Sequence, residues 1–195
     1  SDNYSSNYDL KYHKLELNID PSDTSISGEI SSSFLATENM SEMVFDLSDN
    51  MTVTEVINLS NGTELSFSHQ NDSLFIDLDQ TIFQGETDSV KVSYYGNPVS
   101  SGFGSYEVSE HNGSPIMWTL SEPYGAKGWW PCKQSLDDKI DSIDVHITTP
   151  ILDPNGDEYV SVSNGLEKNQ LYIGETKKTH FQHKYPIPAY LIAIA

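Results

Sequence analysis

Arginine is absent from this 195-residue chain. All ten basic residues are lysines, against 29 Asp and Glu, and the formal net charge is −19. Nucleic-acid phosphates are held by clustered Lys and Arg, so nucleic acid is not an expected partner. A single cysteine, Cys132, leaves no internal disulfide framework and no cysteine-based zinc site. Long apolar runs are also missing. The longest, Ala189 to Ala195, falls far short of the roughly 20 residues that cross a bilayer, so no membrane span is expected. HExxH, GxSxG and a phosphate loop do not occur, which removes the usual signatures of zinc, serine and nucleotide chemistry. No long segment has a period of 3.6, so a helical or doubly wound fold is not expected.

What the chain does have is alternation. Leu15, Leu17 and Ile19 alternate with Lys14, Glu16 and Asn18. Pro21-Ser22-Asp23 then turns the chain, and Ile26, Gly28, Ile30, Ser32 and Phe34 line one face of a return strand. The pair reads as a long hairpin, with Gly28 a bulge or a close-contact point. Further short strands are predicted at Met43–Leu47, Thr52–Leu59, Leu65–His69, Leu74–Leu78, Val90–Tyr94, Ile116–Thr119, Ile143–Ile147, Tyr159–Ser163, Leu171–Ile173 and Thr179–Lys184. Asn61-Gly62 is a strong turn signal between two of them. Many strands at short spacing predict an all-β sandwich, mostly antiparallel, over residues 8–195. Residues 1–7 read as a disordered leader. The closing AYLIAIA is apolar on both faces and reads as a strand buried on both sides, placed just before a domain boundary. The Ser-, Asn-, Asp- and Thr-rich surface points to an exported protein, secreted, periplasmic or in the cell envelope.

Few residues form a pattern that carries chemistry. His180 and His183 are three apart, so on a strand they face opposite ways and cannot share a metal. Asp137, Asp138, Asp141 and Asp144 lack the Gly and terminal Glu of a helical calcium loop and read as a solvated acidic face. Cys132 follows Trp130 and Pro131, an apolar setting that suits a structural thiol. Asn-x-Ser/Thr sequons occur, among them Asn3, Asn39, Asn50, Asn58, Asn61 and Asn71, in a chain rich enough in those residues to make them by chance. A second reading is a stand-alone carbohydrate- or protein-binding module with Trp118, Trp129 and Trp130 as its stacking platform.

The least strand-like stretch is TLSEPYGAKGWWPCKQSLDDK, Thr119 to Lys139. Its order of Glu, Gly-Ala-Lys, Trp-Trp-Pro-Cys and Asp-Asp-Lys, followed by IDSIDVHITTP, resembles the N-terminal domain of the aminopeptidase N family of zinc metallopeptidases. KYHKLELNIDP is similar to that domain's opening strand, SNGLE to its Ser-Asn-Gly turn, and YPIPAYLIAIA to its close. The resemblance implies a saddle-shaped β domain packed on a catalytic domain of the same chain, which carries the zinc and acts on peptide substrates. By the resemblance this chain is inactive alone, and neither catalytic residues nor metal ligands are expected in it. The resemblance also implies substrate-binding residues. The family's Gln or Glu ten positions before the Pro-Cys cysteine binds the substrate's free α-amine, and that position is Glu122. The family's preceding Gln, which helps wall the pocket for the first side chain, is Leu120 here. Lys127 replaces an Arg and loses its bidentate fork, Trp130 enlarges a Phe or Tyr, and Lys133-Gln134 replaces an expected acid. An X-Pro bond makes a cis peptide accessible, and Glu122-Pro123 is expected to be cis.

Overall fold

The computed structural model describes residues 7–99 and 105–195. Alternation along the first strand, β1 (Tyr8–Ile19), buries Tyr8, Leu10, Leu15, Leu17 and Ile19, but the period slips once. A β-bulge between Leu10 and Tyr12, in the pairing with β2 (Ile26–Ala36), adds one residue. The extra residue restarts the alternation one place later and turns His13 into the core. At Gly28 a Cβ would lie 3.0 Å from both Leu17 and Tyr94. The glycine is therefore a close-contact point rather than a bulge.

Ten further strands among the described residues complete the architecture: β3 (Met40–Asp46), β4 (Met51–Asn58), β5 (Phe67–Gln70), β6 (Ser73–Ile82), β7 (Thr87–Gly96), β8 (Glu107–His111), β9 (Ser114–Trp118), β10 (Ser142–Pro150), β11 (Leu166–Ile173) and β12 (Thr176–His183). Seven strands form one sheet in the order β11-β12-β10-β1-β2-β7-β4. Every pairing in it is antiparallel except β1 with β10, which run parallel from Tyr12↔Ser142 to Asn18↔Thr148. A three-stranded sheet, β3-β6-β5, and the β8-β9 hairpin are separate. Two-residue turns at Asn71-Asp72 and Asn112-Gly113 take positive φ throughout, the geometry that matches the twist of adjoining strands.

The large sheet and the three-stranded sheet face each other across one apolar core. Tyr8 stitches them: its ring meets Phe34 at 5.9 Å and Phe45 at 6.2 Å, both edge-on, and its hydroxyl donates to the Val44 carbonyl at 2.7 Å. The expected all-β sandwich is therefore the observed fold. Lys133, almost fully buried, donates to the Tyr8 carbonyl at 2.6 Å and to Asp138 at 2.5 Å. Asp138 and Asp144 are thus not part of a solvated acidic face. The second takes hydrogen bonds from Tyr12, His180 and Gln182.

Two expectations need correction. AYLIAIA is not a strand buried on both sides: Ala189–Leu191 is a 3-10 turn, and beyond it Ile192 and Ile194 are buried while Ala195 is exposed. Two prolines just before it, Pro186 and Pro188, remove the N–H groups a ladder needs. Tyr159–Ser163 is extended but joins none of the named sheets, and meets the segment 193–195 through the isolated Ser163↔Ile194 bridge and the Ser163 side chain. The expected leader lies outside the described residues except for Asn7. That residue's carbonyl accepts the Thr37 N–H at 2.9 Å, and its amide donates to Glu42.

His13 gives the fold a pH dependence. Its Nδ1 bonds to Ser32 Oγ at 2.8 Å, its ring meets Trp130 edge-on at 5.2 Å, and burial pushes its pKa down to about 3. In the unfolded chain the same group titrates near its ordinary value of about 6.5. Between those values the unfolded state holds one more proton, so stability falls as pH drops below about 6.5 and continues falling toward 3. Half-buried His146, pushed down to about 4 first by burial and then by the charge of His180, acts in the same direction. Ordinary carboxylates contribute only below about 4.5. Urea midpoints measured from pH 6.5 to 4.5 should therefore decline with a slope of up to about 1.4 kcal/mol per pH unit for each histidine. His13→Phe should remove one such increment. An unchanged slope in that variant would refute the assignment.

Candidate functional site

The Thr119–Cys132 segment is a loop tied down at both ends. At its start the Thr119 N–H donates to the Ile194 carbonyl, and Thr119 Oγ1 accepts the Ile194 N–H, both at 3.0 Å. At its end Cys132 and Asp46 exchange two backbone hydrogen bonds, at 2.7 and 3.0 Å. Between them stands a buried wedge. Trp129 and Trp130 are 0% exposed, with ring centroids 5.7 Å apart. The Trp129 carbonyl accepts the Tyr94 hydroxyl at 2.8 Å. Its indole N–H donates to Ser121 Oγ at 2.9 Å. The Gly125 N–H closes onto the Ser121 carbonyl at 2.8 Å. Ser121 is thereby clamped from two sides, and the next three residues, Glu122, Pro123 and Tyr124, are forced outward and exposed.

The Glu122-Pro123 bond is cis, as expected. Among the described residues no hydrogen bond or ion pair engages the Glu122 carboxylate. Such a group is acceptor-only and free to take an external donor. Leu120, also expected at the site, is 45% exposed. It shares the loop with Glu122, one residue on the other side of the Ser121 clamp. Lys127 does not reach outward. Its ammonium pairs with Asp72 at 2.9 Å, and its carbonyl accepts the Ser48 N–H.

Residues 5–191 match the family model of the Peptidase M1 N-terminal domain. The chain belongs to that family. No curated protein matches it, but solved structures do. The M1 zinc metallopeptidase from Deinococcus radiodurans superposes with a TM-score of 0.85 at 23% identity, over 97% of this chain and 42% of that one. Native yeast LTA4 hydrolase superposes with a TM-score of 0.76 at 20% identity, over 98% of this chain and 29% of that one. The Deinococcus enzyme has also been crystallised with a Tyr-Ser-Ala substrate, and that structure superposes with a TM-score of 0.83 at 23% identity, over 96% of this chain and 42% of that one. At these identities the structures establish the fold. This M1 N-terminal domain spans less than half the length of the relatives it superposes on.

Within the M1 N-terminal domain the Ser-Asn-Gly turn has a visible physical task. Ser163 Oγ donates to the Ala193 carbonyl at 2.9 Å, and the Asn164 amide bonds both to the Leu191 carbonyl at 3.0 Å and to the Ala193 N–H at 2.7 Å. Gly165 has φ +92, and a Cβ there would sit 2.2 Å from the Gln182 carbonyl oxygen. Only glycine fits both conditions. The turn thus clamps the chain's last residues, which in turn hold Thr119 and the root of the Glu122 loop.

Other candidates fall away. With Trp129 and Trp130 fully buried, the tryptophan stacking platform does not exist; only Trp118 is partly exposed. Burial pushes the Cys132 thiol up, with nearby Asp46 adding to the effect, so it is no nucleophile at neutral pH. His180 stacks on its cross-strand partner His146 at 4.1 Å and bonds to Asp144. Among the described residues no group of three or more His, Cys, Asp or Glu is placed to hold a metal ion. Among the described residues no helix is long and apolar enough to cross a membrane. Sequence reasoning missed Ser121, the pivot of the loop, and Tyr124, exposed beside Glu122 in the same turn. The signal for Ser121 lies in its spacing from Trp129, eight residues that no local pattern links.

Proposed function

We propose that this domain is the front part of a zinc aminopeptidase, and that it supplies Glu122 and Leu120 to the substrate cleft while a catalytic domain of the same chain supplies the zinc. The observation that carries this reading is the unpartnered Glu122 carboxylate, held outward on a loop whose two ends are fixed in the core. A carboxylate at that place pairs with the ammonium group of a free peptide N-terminus, and exclusion of water between two domains strengthens the pairing. An internal peptide bond offers no such charge, so the same contact selects for removal of terminal residues. Leu120 walls the pocket for the first side chain with an apolar group. The domain alone carries no hydrolytic machinery. Its occurrence in proteins described as M1 zinc metallopeptidases supports this division of labour.

The test is made on the full-length protein. It should release p-nitroaniline from alanine p-nitroanilide, lose that activity to a chelator, regain it with zinc, and leave N-acetylalanine p-nitroanilide untouched. Equal turnover of the acetylated and free substrates would refute amine recognition.

A further inference from the structure

One row of side chains crosses the outer face of the large sheet without a charge. Register pairs Thr52 of β4 with Tyr95 of β7, Tyr95 with Ser27 of β2, Ser27 with Asn18 of β1, and Asn18 with Thr148 of β10. Directly paired residues project from the same face, so five neutral polar side chains stand abreast on five adjacent strands. At about 4.8 Å per strand the row is roughly 19 Å long. All five line one hollow of about 510 Å³ at the end of the sheet beside the β1–β2 turn, and Asn50 and Asn97 join them there.

The neutrality of this hollow stands out in its setting. One residue in five of the chain is charged. Among the described residues that line the hollow Asp20 alone is, and its carboxylate already accepts the Ser22 N–H at 2.9 Å and the Ser22 hydroxyl at 2.6 Å. The neighbouring row, Glu55–Ser93–Glu29–Glu16–His146, holds three glutamates. Two of them are paired where they stand, Glu29 with Lys91 at 3.2 Å and Glu16 with Lys14 and Lys178 at 2.8 and 2.7 Å. A second uncharged row, Ser89–Ser33–Tyr12–Ser142, uses its hydroxyls internally, Ser33 with Ser89 at 2.7 Å and Tyr12 on Asp144 at 2.9 Å. The hollow differs. Among the described residues the hydroxyls of Thr52, Tyr95 and Thr148 and the amides of Asn50 and Asn97 have no hydrogen-bond partner. Within the row the bond from Asn18 Nδ2 to Ser27 Oγ is long, at 3.5 Å. Tyr95 is 53% exposed and presents an aromatic surface beside these groups.

We propose that this hollow binds a neutral, extended glycan laid across the strands. Sugar hydroxyls donate and accept at once, and so do side-chain hydroxyls and amides. The C–H face of a sugar ring packs on an aromatic ring, the contact that Tyr95 offers. Successive rings of an extended chain advance by about the spacing of strands, so the row sets one polar side chain against each ring. Other ligand classes fit worse. Anions are opposed by the net charge of −19. Cations find no free carboxylate in the hollow. An apolar ligand would strand the unpartnered hydroxyls and amides. The inference goes beyond the reading of Glu122 and shares no residue with it. A glycan held here would anchor the protein to a polysaccharide while peptides are bound elsewhere.

Isothermal titration of the full-length protein with cellohexaose, mannohexaose, maltohexaose and hexagalacturonate is the test. Cellohexaose or mannohexaose, the extended neutral chains, should bind with a Kd below about 1 mM. Tyr95→Ala should weaken that binding at least about 10-fold. Thr148→Lys, which drives a long charged side chain into the row, should abolish it. Both variants should keep the parental melting temperature, because both side chains stand on the outer face of the sheet. Absence of binding to both extended hexaoses would overturn the proposal, and so would undiminished binding in Tyr95→Ala. A preference for hexagalacturonate would refute the charge argument, and a preference for the coiled maltohexaose would refute the register argument; either overturns it. A zinc-dependent aminopeptidase that binds no hexaose would sink this inference alone. A protein that binds cellohexaose or mannohexaose yet leaves alanine p-nitroanilide intact would sink the proposed function alone.

Discussion

Glu122→Ala in the full-length protein should lower kcat/KM for unblocked aminoacyl substrates by about 30- to 150-fold, the effect of losing about 2–3 kcal/mol from the charge-assisted hydrogen bond proposed for it. The loss should fall mainly on KM, because the ammonium group is bound alike in the ground state and the transition state. Glu122→Gln keeps an acceptor oxygen but not the charge, and should fall between alanine and the parent. Stability should not change in either variant, since the carboxylate is exposed and has no partner among the described residues. That combination separates a substrate contact from a structural one. Steady-state kinetics on alanine and leucine p-nitroanilides, with a thermal melt of each variant, makes the measurement. Unchanged kcat/KM in Glu122→Ala would contradict the assigned role.

The second large effect is expected at the foot of the same loop. Trp129→Ala should destabilise the domain by about 3–5 kcal/mol, because a fully buried indole leaves a cavity that the two packed sheets cannot close. Domains of ordinary size hold only about 5–15 kcal/mol in all, so this variant should unfold at the edge of physiological temperature. Trp129→Phe is the informative companion. It keeps most of the packing and deletes the indole N–H that grips Ser121, at a cost of about 1 kcal/mol. With the grip released, the Glu122 turn loses one of its two fixings. KM should rise while the fold persists. Denaturant titration read by near-UV circular dichroism, set against the kinetics of the phenylalanine variant, tests both halves. A phenylalanine variant with native KM would mean that the Ser121 clamp does not aim the loop.

These effects converge on residues that differ in how well a linear reading exposes them. The alternation of Leu15, Leu17 and Ile19 announces β1 without ambiguity, because one face of the strand is wholly apolar. The bulge one turn earlier is silent. Lys11 and Tyr12 can each face solvent, so nothing in their types says that two consecutive residues point outward. AYLIAIA misleads for a related reason. Apolar residues on both faces imply burial on both faces, and yet Leu191 and Ala195 are exposed here. The Trp-Trp-Pro-Cys wedge is legible as an anchor, since so much apolar area in a loop must be buried somewhere. Glu122 is legible only through family resemblance. Its distinguishing property, the lack of a partner among the described residues, arises from contacts among Ser121, Gly125 and Trp129 that exist only once the chain is folded.

The single parallel pairing in the large sheet has a consequence in time. β1 finds β2 at once across a short turn, but its other neighbour, β10, is encoded roughly 130 residues later. At synthesis rates of about 5–20 residues per second, that neighbour emerges roughly 7 to 26 s afterwards. Throughout this interval the first hairpin carries a naked edge, the kind of surface that recruits strands from other chains. Four of the six residues on β1 that look away from the core are charged, Asp9, Lys11, Lys14 and Glu16, and an intruding strand would have to desolvate them. Their value lies less in the finished protein, where several sit in modest ion pairs, than in the seconds before it exists.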